Sequence, residues 1–128
     1  ASRQARTASR TALLASLAVV LSACGSGAET SGATASGAEN GRLLLRQFGC
    51  GRCHEIPGVA DAKGRIGPPL GDVGRRIYLA GRLPNTPQNM VRFIRAPQAV
   101  KPGTAMPDLG VSEPHARDMV AYLRTLRK

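Results

Sequence analysis

Cys50-Gly51-Arg52-Cys53-His54 places two thiols two residues apart and an imidazole directly after the second. On one tight turn, thiols at this spacing can reach both vinyl groups of a single porphyrin and form thioethers. The next residue then directs its ring at the iron, so the pattern reads as the attachment signature of c-type haem. Other cysteine chemistries fit less well. A zinc site needs a further ligand pair at suitable spacing, and the remaining Cys24 and His115 lie far apart and unpaired. A thioredoxin-like dithiol needs a βαβ context, and none is readable. A structural disulfide stays open in an oxidising compartment.

An electron-carrying haem usually fills the sixth position on its iron, and Met90, Met106, Met119 and His115 are the candidates. Met90 and Met119 fall on apolar faces of expected helices, where packing is the simpler role. His115 falls in the first turn of the last expected helix, an ordinary place for a solvated histidine. Met106 lies in the extended run Lys101-Pro102-Gly103-Thr104-Ala105-Met106-Pro107. Two prolines restrict that backbone and a glycine permits its turn. Such preorganisation suits a ligand loop, and Met106 is assigned as the second axial ligand.

Short helices must position these groups. Glu39 to Phe48 is read as one, with Leu44, Leu45 and Phe48 on one face, and Gly49 breaks it just before the cysteine pair. All nine prolines lie between Pro57 and Pro114, which predicts a loop-rich middle. Gln88 to Arg95 reads as a helix with Met90, Phe93 and Ile94 on one face, stopped by Pro97. A final helix is expected from Ser112, an N-cap residue, with Pro114 in the first turn. Ala116, Met119, Val120, Leu123 and Leu126 follow at helical spacing. No strand pair and no repeat is readable, so the fold class is all-α.

Residues 1–23 read as an export signal: Arg3, Arg6 and Arg10 precede the apolar run Thr11 to Leu21. Leu21-Ser22-Ala23-Cys24 resembles a bacterial lipobox, which implies cleavage before Cys24 and acylation of its thiol. Gly25 to Ala38 reads as a flexible tether of Gly, Ser, Ala and Thr, with a coil reach of roughly 20 Å. The expected division is signal 1–23, lipidated Cys24 and tether 24–38, and domain 39–128.

The chain is strongly basic, with formal net charge +10. There is no dense Lys/Arg run and no row of aromatics, so nucleic acid is not an expected partner. Aromatic residues make up 3% and Trp is absent. A core so poor in bulk is consistent with a buried porphyrin, although it does not by itself indicate one.

Residues 39–128 resemble a class I cytochrome c domain. The landmarks are the haem motif, Gly67-Pro68-Pro69-Leu70, Pro102-Gly103-Thr104-Ala105-Met106 and Ala121-Tyr122-Leu123. The resemblance implies three to five short helices around one covalent haem c, with the last helix crossing the first where Gly41 and Tyr122 stand. It implies that the Pro68 carbonyl accepts a hydrogen bond from His54, and that Leu70 and Phe93 pack on the porphyrin. It further implies that Arg75 or Arg76, helped by Tyr78, approaches a propionate. Many members of that family carry Tyr where Phe93 stands, so a hydroxyl contact to the ligand sulfur is missing here. Arg76 to Asn85 is similar to cytochrome domains that accompany bacterial terminal oxidases.

The expected function is therefore a monomeric, monohaem electron carrier rather than an enzyme, with His54 and Met106 on the iron. Its expected place is the periplasmic side of a bacterial membrane, held by lipid on Cys24, with no choice readable between inner and outer membrane. Redox partners would be a terminal oxidase or an upstream reductase or dehydrogenase, steered by basic residues such as Arg52, Lys63, Arg65 and Lys101. Three alternatives accompany this reading: a haem enzyme or gas sensor with a labile sixth ligand, a cytochrome subunit of a periplasmic dehydrogenase, and a non-haem thiol or zinc module.

Overall fold

The computed structural model describes residues 29–128, with side chains from residue 35. The expected signal segment and the lipidation site Cys24 lie outside the described residues. Helix α1 spans Glu29–Gln47, α2 Pro87–Arg95, α3 Pro97–Val100 and α4 Glu113–Leu123. A 3-10 turn occupies Cys50–Arg52. Two-residue strands β1 (Tyr78–Leu79) and β2 (Leu83–Pro84) pair antiparallel.

The first helix starts at Glu29 rather than at Glu39, so residues 29–38 of the expected flexible tether are helical. Ala33, Ala35 and Ala38 account for much of this, because Ala is the strongest helix former. Packing adds to it: a Cβ on Gly37 would stand 3.2 Å from the Asp118 carboxylate of α4. Further along, Gly41 lies against the backbone of Asp118 and Met119, where any side chain would collide. Helices α1 and α4 thus cross with their backbones close together. Tyr122 stands about one turn beyond Asp118 on α4. Its hydroxyl donates to the Pro57 carbonyl at 2.7 Å and pins the loop that follows the cysteine motif.

One apolar cluster joins the elements: Leu44 and Leu45 of α1, Ile56, Val59 and Ala62 of the following loop, Val73, Leu79, Met90 and Val111, and Ala116, Met119, Val120 and Leu123 of α4. Ala116 and Met119 are wholly buried. The sequence periodicity of α4 is therefore its core face. Its N-cap position is Ser112, yet the Ser112 side chain makes no capping bond. Thr86 does cap α2, accepting from Asn89 N at 3.1 Å.

The strand pair corrects the expectation of a purely helical chain. Ala80 and Gly81 both have positive φ, 51° and 79°, and Arg82 N donates to Leu79 O at 3.1 Å. Two left-handed residues between short strands make the twisted turn that a tight hairpin requires. Asn85 fastens this hairpin to the preceding loop. Its side-chain nitrogen donates to Val73 O and Arg76 O, each at 2.8 Å.

Candidate functional site

Gly49 ends the path of α1 into the motif with φ 71°, a left-handed conformation that glycine adopts at no steric cost. Cys50 opens the 3-10 turn, and His54 N closes it by donating to Cys50 O at 3.0 Å. The chain beyond then folds back along the motif. Gly64 N bonds Gly51 O at 3.0 Å, Gly67 N bonds Cys53 O at 2.8 Å, and Leu70 N bonds Glu55 O at 2.8 Å. Gly67 lies against the His54 ring so closely that a Cβ there would collide with it.

This return strand orients the imidazole. His54 Nδ1 is 2.7 Å from the Pro68 carbonyl oxygen. A carbonyl only accepts, so Nδ1 carries the proton and donates, and Nε2 is left with its lone pair available for a metal. Both thiols are free rather than joined in a disulfide. Burial, with the Cys53 charge as a lesser cause, pushes the Cys50 thiol above its ordinary range. Cys50 is therefore held as a neutral thiol at pH 7.

His54 opens on a narrow apolar cleft with a cavity volume of about 50 Å³. Leu45, Cys50, Leu70, Ile94, Met106, Leu109, Val111, Met119 and Leu123 complete the lining. Helices α1, α2 and α4 and the loops that carry Leu70 and Met106 thus each send a side chain to one slot. The wall that carries Met106 comes from the loop after α3. Met106 is half-buried there, whereas Met119 lines the same slot from the wholly buried face of α4.

Several residues singled out in the sequence stand elsewhere. Cys53 is not on the cleft lining, although it immediately precedes His54. Ile94, not Phe93, forms the α2 part of the wall. Consecutive helix residues point about 100° apart, and the register of α2 turns Ile94 inward. Arg75 is directed to the C-terminal segment, where its guanidinium donates to Arg127 O at 3.4 Å. Arg76 bonds Asp72 at 2.5 Å and the Pro69 carbonyl, so it is the arginine tied to the His54 side. Tyr78 is 55% exposed on β1 and is absent from the cleft. His115 meets Phe48 edge to face at 6.0 Å between ring centroids, away from the slot.

Sequence reasoning missed Gln98. Its side-chain nitrogen donates to Thr104 O at 2.7 Å and Met106 O at 3.2 Å. Its oxygen accepts from Gly103 N at 3.1 Å. No periodic or motif signal marks this residue.

The donor set suits a haem better than a bare ion. Among the described residues no three His, Cys, Asp or Glu side chains gather into a metal cluster. A porphyrin supplies four ligands itself and asks the protein for two, and the lining offers one imidazole with a free Nε2 and the thioethers of Met106 and Met119. The apolar lining matches a flat, largely apolar macrocycle, and Cys50 borders it.

No protein-family model matches the chain. The chain is similar to cytochrome c oxidase subunit 2 of Alkalihalophilus pseudofirmus, 35% identical over 104 residues, covering 80% of this chain. It spans only 30% of that protein's length. The similarity is thus distant and partial. The relative belongs to an enzyme, cytochrome c oxidase, and this corrects the expectation of a carrier with no part in an enzyme.

Proposed function

We propose that residues 39–128 form a class I cytochrome c module that holds one haem c and passes single electrons in association with a cytochrome c oxidase. The observation that carries this reading is that Cys50 and His54 of the motif line one apolar cleft together with Met106, with His54 Nδ1 on the Pro68 carbonyl at 2.7 Å. The partial likeness to an oxidase subunit supports the partner class.

When bound, haem would supply an iron that cycles between ferric and ferrous states, and Met/His ligation raises its potential. The protein's residues do the rest. Cys50 and Cys53 would anchor the macrocycle covalently. His54 presents Nε2 with its orientation fixed through Nδ1, a contact that also raises its basicity as a ligand. Met106 would offer a soft thioether from the lining of the same cleft. Leu45, Leu70, Ile94 and Leu123 exclude water from between the walls, which lowers the local dielectric and favours the less charged iron state. Arg76, beside Pro69, is the arginine best placed to serve a propionate.

Membrane attachment through Cys24, and with it export to the periplasmic side, rests on Leu21-Ser22-Ala23-Cys24 and the apolar run before it. Among the described residues, no helix is long and apolar enough to cross a membrane.

The test is an intact mass after expression with haem-maturation machinery. One added haem, with both motif thiols protected from alkylation, is the expected result. A haem-free chain with both thiols alkylated under those conditions overturns the proposal.

A further inference from the structure

We propose that Gln98 is the positioning residue of the Met106 ligand, its carboxamide closing the ligand loop into a ring and fixing where the thioether stands. The inference rests on the haem reading given above and adds a residue to it.

The base of the ring is rigid. Pro97, next to Gln98, is one of the most deeply buried side chains of the described chain. Helix α3 follows α2 with a single residue, Ala96, between them, and Lys101 N closes it on Pro97 O at 2.8 Å. From this base the Gln98 side chain meets a loop that reverses direction at Gly103, φ 77°. A carboxamide has two N–H donors and one acceptor oxygen. Here the nitrogen serves Thr104 O and Met106 O, and the oxygen takes the Gly103 N–H.

The loop has little else to hold it. Thr104 N bonds Lys101 O at 3.1 Å, and Met106 N reaches Thr104 Oγ1 at 3.4 Å. Both bonds are internal to residues 101–106. Among the described residues, every hydrogen bond from 103–106 to the chain outside that loop runs to Gln98. No other side chain substitutes well. A carboxylate can accept from Gly103 but would set its charge against two carbonyl oxygens. A lysine offers donors and no acceptor. A leucine keeps an apolar stem one bond shorter and forfeits all three bonds.

A loop so held would resist an outside ligand that competes with Met106 for iron. The experiment uses the full holoprotein and compares wild type with Gln98→Leu and Gln98→Glu. Imidazole is titrated into the ferric form, and hydrogen exchange is followed at Gly103 and at α1 and α4 amides. In Gln98→Leu the imidazole association constant is expected to rise about tenfold, the scale of a few exposed hydrogen bonds. It should rise at least as far in Gln98→Glu at pH 7. Gly103 exchange should quicken by a similar factor while α1 and α4 keep their protection. Unchanged imidazole affinity in both variants overturns the inference. So does an equal loss of protection across α1 and α4, which would make Gln98 a general stabiliser. If the wild type carries no haem, the underlying reading fails first, and the mass measurement identifies that failure separately.

Discussion

The two walls of the cleft are built differently. The His54 wall is stitched by backbone: Gly64 to Gly51, Gly67 to Cys53 and Leu70 to Glu55, with the Pro68 carbonyl on the imidazole. Behind it lie Ile56, Val59 and Ala62, all buried. The Met106 wall is a proline-bounded loop tied to its helix by one exposed glutamine. Several backbone bonds backed by a core open together, whereas a single exposed side-chain clasp opens locally at small cost. On the proposed reading, His54 would be the structural ligand and Met106 the exchangeable one, so that the site's chemistry could be changed at Met106 without loss of the fold.

Substitutions that strike the stitched wall should have the largest effects. Gly67→Ala forces a methyl into the His54 ring. A destabilisation of about 3 kcal/mol is expected, the upper end for overpacking, with reduced haem loading, read by thermal denaturation and intact mass. Near-normal stability with full loading would show that the stitched wall yields as easily as the loop. Tyr122→Phe removes the hydroxyl from the Pro57 carbonyl behind the same wall and should cost about 1 kcal/mol, read by urea denaturation. Met106→Ala tests the other wall. Because the side chain is half-buried on a loop, unfolding free energy should fall by no more than about 1 kcal/mol, while the weak far-red band of the Met–iron bond disappears. Retention of that band would remove Met106 as ligand and turn attention to Met119.

The smallest effect is expected from acid. Asp72 is held below the usual carboxylate value, chiefly by its hydrogen bond to Arg76, and Glu39 likewise by Arg42. A depressed folded-state pKa contributes stability above the unfolded value, and that contribution is lost as pH falls through the folded one. The ordinary values are 3.8 and 4.5, so the loss sets in below about pH 5. Both pairs are exposed and therefore weak. Asp72→Asn should flatten the acid limb of a melting-temperature profile slightly, and a large change at pH 5 to 7 would contradict this assignment.

Legibility in the sequence followed the same divide. The His54 side consists of short-range pattern, in Cys50 to His54 and Gly67 to Leu70, and the resemblance carried it down to the Pro68 carbonyl. Helix faces were readable where apolar residues recur over three turns, as in α4. A choice between neighbours such as Phe93 and Ile94 depends on the register of a short helix, which periodicity over nine residues does not fix. Gln98 was invisible because its partners are backbone groups, and any sequence offers those. The hairpin escaped because Ala80 adopts positive φ without the Asn or Asp that usually marks such a turn. Residues 29–38 misled through composition: Gly and Ser read as coil, while the contact of Gly37 with Asp118 that helps hold the helix is tertiary.

That longer α1 carries a mechanical consequence. Ten residues of helix extend about 15 Å, comparable with the reach of a coil of similar length, but with a fixed bearing. The rod runs directly into the Gly41 crossing and ends at Gln47, three residues before the cysteine pair. Whatever is joined ahead of Glu29 is coupled to the cleft as an arm to a hand rather than as a string to a float. The angle at which the cleft mouth faces a partner is then set by the helix axis, and a twist applied at Glu29 would be felt at Cys50.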